Sequence, residues 1–181
     1  MPVVPVLPTI AGGILTTSQL AAITQVSQFL AVPPKVILRQ TVAQSIPNTG
    51  LNPVTFDVTD VDEDYLSSKA GQHSTSVNPS RFTVKWPGRY AGLAVLAWAA
   101  SATGQRGGKW AINGTQLNAS LDSLDATAAG GQVAPAVPTL FPYLNIGDYV
   151  ELGALQNTAG ALLTGVSANS QSSMSIWWVG Y

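Results

Sequence analysis

RFTVKWPGRYAGLAVLAWAA, residues 81–100, decides how the rest of the chain reads. Residues 81–86 alternate polar and apolar side chains, the period of a half-buried strand. Pro87-Gly88 is a turn pair, with proline fixing one φ and glycine freeing the next. Residues 89–100 then run long and mostly apolar, as a central strand of a packed sandwich does.

Outward from this pair the β pattern continues. Downstream, KWAINGTQLNAS (109–120) reads as two short strands about Asn113-Gly114, a strong hairpin signal. PTLFPYLNI (138–146) leads to a turn at Gly147-Asp148, YVELGALQN (149–157) alternates, and SMSIWWVGY (173–181) closes the chain. Upstream, VILRQTV (36–42) and PVTFDV (53–58) read as strands. Residues 121–131 are rich in Ser, Ala and Gly and read as a loop. Strands at this spacing, separated by Gly, Asn, Asp and Pro, predict an all-β fold over residues 35–181, a sandwich or jelly roll. There is no internal repeat.

Residues 1–34 carry no charge; Lys35 is the first. They lack the positive start of a secretory signal. Thr16–Gln19, Thr24, Gln25, Ser27 and Gln28 are too polar for a membrane span of about 20 apolar residues. Pro2, Pro5 and Pro8 predict an extended arm over 1–13. Residues 16–31 predict one short α-helix, opened by a Thr16/Gln19 capping box and stopped by Pro33-Pro34. Leu20, Ile23, Val26 (or Ser27) and Leu30 recur at helical spacing, with Phe29 beside them. At about four turns this helix is marginal alone and must pack on something.

The composition excludes several function classes. Apolar residues make up 46% of the chain and charged residues 9%, against a usual ~25%. So little charge fits a protein largely covered by neighbours, or one made to be robust. The net charge of −1 with no basic block argues against nucleic-acid binding. Without cysteine there is no disulfide framework and no thiolate metal site.

Candidate chemistry is sparse, and no cofactor is expected. The single histidine, His73, reads as a solvated loop residue; there is no G-x-S-x-G elbow to build a triad around it. Asp57, Asp60, Asp62, Glu63 and Asp64 are five of the nine acids. They lack the glycine and spacing of an EF-hand and read as a loop at a strand end, with Ca²⁺ binding left open. GQRGGK (104–109) lacks the phosphate-loop pattern, because Trp110 follows the lysine, and reads as a bend. Asn113-Gly114-Thr115 and Asn118-Ala119-Ser120 match the glycosylation sequon, but the first is accounted for as a turn. Trp177 and Trp178 are adjacent on a strand and face opposite sides, one toward the core. The other is left between a subunit contact and an aromatic ligand platform.

The order of Pro87-Gly88-x-Tyr90, Asn113-Gly114, Gly147-Asp148-x-Val150-x-Leu152 and the aromatic strand Ile176 to Val179 resembles the jelly roll shared by complement globular heads and tumour necrosis factor (TNF). The likeness covers about 36–181 and implies a homotrimer, with Trp177, Trp178 and Tyr181 as candidate contacts. End to end, the chain is similar to small virion proteins of tailed bacteriophages, particularly those of actinobacteria. The matching residues are Ala11-Gly12, Leu15-Thr16, Phe29-Leu30, Pro33-Pro34, Gln44 to Asn48, Asn78 to Arg81, Ala102 to Arg106 and Asn113 to Thr115.

That likeness implies a non-enzymatic structural protein: a capsid decoration protein of head-fibre type on the phage head surface. Its partner would be the major capsid protein or another virion protein. Residues 1–34 would be the anchor, through Val3, Val4, Val6, Leu7 and Ile10 of the arm and Leu20, Ile23, Val26, Phe29 and Leu30 of the helix. Burying four or five such side chains contributes about 1.5–3 kcal/mol each before ordering costs. The alternative is a minor tail or fibre-tip protein whose loops around 66–80 and 121–136 bind a host-surface glycan.

Overall fold

A computed structural model describes residues 3–9, 12–125, 132–135 and 138–181. Two sheets face each other across one core. The first runs in the order Gln132–Pro135, Arg89–Trp98, Ser173–Gly180, Lys35–Arg39, Val58–Glu63, with Thr139–Leu140 also pairing with Arg89–Trp98. The second runs Asn52–Pro53, Tyr149–Gln156, Gln105–Ile112, Thr115–Gln116. Arg81–Thr83 joins it beside Tyr149–Gln156, and Asp122–Asp125 beside Gln105–Ile112. All pairings between these strands are antiparallel. This is the jelly-roll sandwich that the alternating sequence predicts.

Period-two alternation sends one set of side chains inward from each sheet. Val36 and Leu38, Tyr90, Ala94 and Leu96, and Met174 and Ile176 face Phe82, Val84, Trp110, Val150 and Leu152, all buried. Trp110 and Phe141 meet edge to face at 5.2 Å, as do Phe82 and Tyr90 at 5.3 Å. The Tyr90 hydroxyl donates to the Trp86 carbonyl at 2.6 Å, and burial pushes its pKa well above the usual phenol range. The Asn113-Gly114 hairpin forms as expected: both residues have positive φ, 51° and 76°.

Four readings need correction. Residues 53–58 are not one strand. Val54 and Phe56 are buried, but their amides donate to Leu152 and Pro79, so this stretch is a crossing between sheets. Within residues 36–42 the strand ends at Arg39; the Gln40 amide still bonds the Ser172 carbonyl at 2.9 Å, and the amides of Thr41 and Val42 then turn to the Asp57 carboxylate. Residues 105–109 are not a bend but the first half of the strand Gln105–Ile112. Gly107 is what permits this: a Cβ there would lie 2.3 Å from the Asp122 carbonyl. Its absence lets Asp122–Asp125 pair alongside, so the expected loop at 121–131 begins with a strand. Residues 126–131 lie outside the described part.

The helix spans Thr17–Ala31. Thr16 caps it as predicted: its hydroxyl accepts from the Gln19 amide at 3.2 Å, and its own amide donates to Gln19 Oε1 at 2.9 Å. Gln19 Nε2 also donates to the Thr9 carbonyl at 3.0 Å, tying the arm back along the helix. Arm and helix therefore form an uncharged hairpin. No described helix is long and apolar enough to cross a membrane.

Candidate functional site

The hairpin meets the sandwich at an aromatic socket. Phe29, 1% exposed, is ringed by Tyr65, Trp86 and Trp178, with centroids at 5.5, 5.6 and 4.8 Å and all three contacts edge-on. Val4 of the arm is buried in the same cluster. The socket is held by polar bonds from outside. Trp86 Nε1 donates to Asp64 Oδ2 at 2.8 Å, and Trp178 Nε1 to the Pro87 carbonyl at 3.1 Å. Asp64 Oδ1 in turn accepts from the amides of Leu66 and Ser67. Gly88, at φ 144°, lies under the Trp178 indole, where a Cβ would come within 2.2 Å of Nε1.

This docking divides the expected anchor residues. On a helix at 3.6 residues per turn, Phe29, Ala22, Val26, Leu30, Ile23 and Leu20 form one apolar arc. Its Phe29 end is inside the socket. Ile23 and Val26 are half-buried, and Leu20 and Leu30 are exposed at 55% and 62%. In the arm, Val4 is buried while Val3, Val6 and Leu7 are exposed. Ile10 lies outside the described residues. Val4 and Phe29 are thus spent on their own domain, and the outward set is Val3, Val6, Leu7, Leu20 and Leu30.

A second apolar surface is the outer face of the first sheet. Register places Ile37, Ser175 and Leu93 in one row, and Lys35, Trp177, Ala91 and Leu140 in the next. Ile37, Leu93, Leu140, Trp177 and Val179 are all exposed. At its end Tyr143 stacks on Tyr181 at 6.3 Å, and Tyr181 meets Trp178 edge-on at 6.1 Å. The two tryptophans do face opposite ways. Trp177 belongs to this face and Trp178 to the socket, so of the three candidate trimer contacts Trp177 and Tyr181 are on the open surface.

The acidic run is not the solvated loop its composition predicts. Val58–Glu63 is the terminal strand of the first sheet, paired to Lys35–Arg39. Each acid has a protein partner. Asp57 accepts from Thr41 and Val42. Asp60 takes two hydrogen bonds from Arg39, at 2.8 and 2.9 Å. Asp62 accepts from the amide of Gln72, Glu63 pairs with Lys35 at 2.6 Å, and Asp64 holds the socket. Arg39, through its hydrogen bonds above all, holds Asp60 below the usual carboxylate range against partial desolvation. Partial desolvation pushes Asp57 up, but the combined bonds from Thr41 and Val42 more than reverse it. Among the described residues no group of three or more His, Asp or Glu side chains is placed to hold a metal.

His73 is also corrected. It is 9% exposed, with Nδ1 2.9 Å from the Arg81 carbonyl and Nε2 3.3 Å from the Phe56 carbonyl. It pins its loop to the sandwich. Side-chain amides do the same elsewhere, a device the hydrophobic pattern hides. Gln44 binds the backbone of Pro53 and Thr55, and Asn113 binds Asp148 and the Tyr149 amide. Arg106, fully buried, donates to the carbonyls of Ser101 and Thr103 and closes the turn before it.

No family model matches the chain, and no curated protein sequence matches it. Solved structures do. The crystal structure of murine APRIL at pH 8.5 superposes with a TM-score of 0.54 at 12% identity, covering 79% of this chain and 98% of that one. The crystal structure of murine APRIL at pH 5.0 gives 0.53 at 11%, covering 80% and 98%. The fold is a TNF-like jelly roll. At this identity the likeness fixes the fold alone. The TNF-like motifs quoted above now have structural roles: Gly88 under Trp178, Asn113-Gly114 in the hairpin, and Asp148 holding Asn113.

Proposed function

We propose that this TNF-like jelly roll is a non-enzymatic virion structural protein, a head-fibre-type decoration protein that sits as a homotrimer on a phage head and is anchored by its arm–helix hairpin to the capsid protein. The observation that carries the reading is the hairpin's outward surface. It presents Val3, Val6, Leu7, Leu20 and Leu30 with no charge anywhere along it. Docking such a surface removes apolar area from water without desolvating an ion. The open face around Trp177 and Leu93 is the natural contact between copies, and three linked anchors multiply attachment.

The test is co-sedimentation of the full chain with tail-free heads, beside a Leu20→Glu/Leu30→Glu variant. Both sites are exposed, so the variant keeps its fold. The wild type pellets with heads and the variant loses at least tenfold in occupancy; equal occupancy would remove the anchor. Sedimentation equilibrium of the free protein should return three times the chain mass, and the mass of one copy would remove the trimer. A second reading, a minor tail or fibre-tip protein binding a host-surface glycan, draws support from a cavity under the loop carrying His73.

A further inference from the structure

Asn113-Gly114 is the one Asn-Gly pair in the chain, and that pair is chemically the most labile an asparagine can form. The Gly114 nitrogen, after giving its proton to water, can attack Asn113 Cγ. The new C–N bond closes a five-membered succinimide, the Cγ–Nδ2 bond breaks, and Nδ2 takes up a proton and leaves as ammonia. Water then opens the ring to aspartate or isoaspartate. Glycine has no Cβ to shield the attacking nitrogen. Both residues are exposed, so exclusion of water does nothing to slow the step.

The geometry opposes it instead. The pair forms the two central residues of the hairpin between Gln105–Ile112 and Thr115–Gln116, with φ of 51° and 76°. In such a type I′ turn the Cα–Cβ bond of the first central residue points away from the nitrogen that follows it. The turn must open before Cγ can reach Gly114 N.

The side chain is also tied at both ends. Asn113 Nδ2 donates to Asp148 Oδ1 at 2.8 Å, and Asn113 Oδ1 accepts from the Tyr149 amide at 2.9 Å. The Asn113 amide donates to the Tyr149 carbonyl at 2.9 Å, which holds the turn against the neighbouring strand. Asp148 is fixed in its turn, because its Oδ2 accepts from the Asn145 amide at 2.7 Å. One charge-assisted and one neutral side-chain bond must therefore break before cyclisation. Asn169-Ser170 gives the contrast. Asn169 is exposed in the turn between Val166–Ser167 and Ser170–Gln171, and its side chain makes no hydrogen bond among the described residues.

We infer that the Asp148 carboxylate protects Asn113 from deamidation, so that the asparagine most labile by sequence is among the most durable in the fold. Without that protection an aspartate at 113 would face Asp148 with no donor between them, and the hairpin would lose its tie to Tyr149–Gln156. The role goes beyond the head-decoration reading and stands whether the protein sits on head or tail.

The test ages the full chain in mildly alkaline buffer and locates aspartate and isoaspartate by peptide fragmentation in a mass spectrometer. A synthetic peptide of residues 109–120 is aged beside it, with Asp148→Ala and the near-isosteric Asp148→Asn, whose melting temperatures confirm the fold. Asn113 should deamidate at least about thirtyfold slower in the folded chain than in the peptide, the worth of its two side-chain bonds. Asp148→Ala should speed the reaction about tenfold, the worth of the charge-assisted bond, and Asp148→Asn by less. In the wild type Asn169 should deamidate before Asn113. Equal rates in chain and peptide would overturn the proposal. So would a folded Asp148 variant with an unchanged rate at Asn113, or Asn113 reacting ahead of Asn169 in the wild type. A purely structural role for Asp148 would move the melting temperature and leave these rates alone.

Discussion

The sandwich core and the socket under the hairpin are both apolar and both nearly dry, yet they are built differently. The core draws Trp98, Trp110, Tyr90, Phe82, Phe56 and Leu96 from segments far apart in sequence, each braced on several sides. The socket rests on one aromatic from the helix and one valine from the arm, set against Tyr65, Trp86 and Trp178. Losing one residue from the core weakens the whole domain. Losing Phe29 is expected to release a segment and leave the domain standing, with cooperativity stopping at Pro33-Pro34 and the hairpin a separately stabilised unit.

The hardest blow to that contrast is Trp110→Ala. It should lower unfolding free energy by about 3–5 kcal/mol in a single denaturant transition, as large core truncations do. Phe29→Ala should cost less, about 1–3 kcal/mol, because the loss is capped by the docking energy of the hairpin. Its signature is selective: limited proteolysis cuts within 1–34 much faster while the sandwich melts near the wild-type temperature. If Phe29→Ala lowers the sandwich transition as far as Trp110→Ala does, the two cores are one.

The smallest expected effect is electrostatic and belongs to the sandwich alone. Asp57 and Asp60 have folded pKa values below their unfolded ones. Their contribution is complete above the unfolded carboxylate value of about 3.9 and is lost as pH falls through the depressed folded values. Melting temperature should therefore decline below about pH 4. Asp60→Asn should flatten part of that decline and leave hairpin proteolysis unchanged. Both carboxylates are largely solvent-facing, so the decline is modest.

The sequence made the sandwich legible because period-two alternation and the Pro87-Gly88 and Asn113-Gly114 turns are local signals. The capping box at Thr16 was legible for the same reason. What it hid depends on distant partners. Acids read as solvent-loving in isolation, but Arg39 and Lys35 lie across the strand pair from Asp60 and Glu63 and make that segment a strand. Gly107 reads as a bend until Asp122–Asp125 is laid against it. His73 reads as exposed because its two carbonyl partners come from residues 56 and 81. The helix stripe was readable, but not which half of it would turn inward. Phe29 decides that by fitting between rings supplied by residues 65, 86 and 178.

The acidic strand has one more consequence. Val58–Glu63 ends its sheet; the Ala70 amide covers the edge at the Asp62 carbonyl, and the uncovered part of such an edge is a template on which another chain can add as the next strand, and then another after it. In a chain with so few charges, five of nine acids stand on or beside that end. Two such ends brought together repel, so lateral growth into fibrils is discouraged. Copies are left free to meet through the broad face of the same sheet, where no carboxylate stands between Trp177 and Leu93. The placement of charge thereby separates an assembly that closes from one that grows without limit.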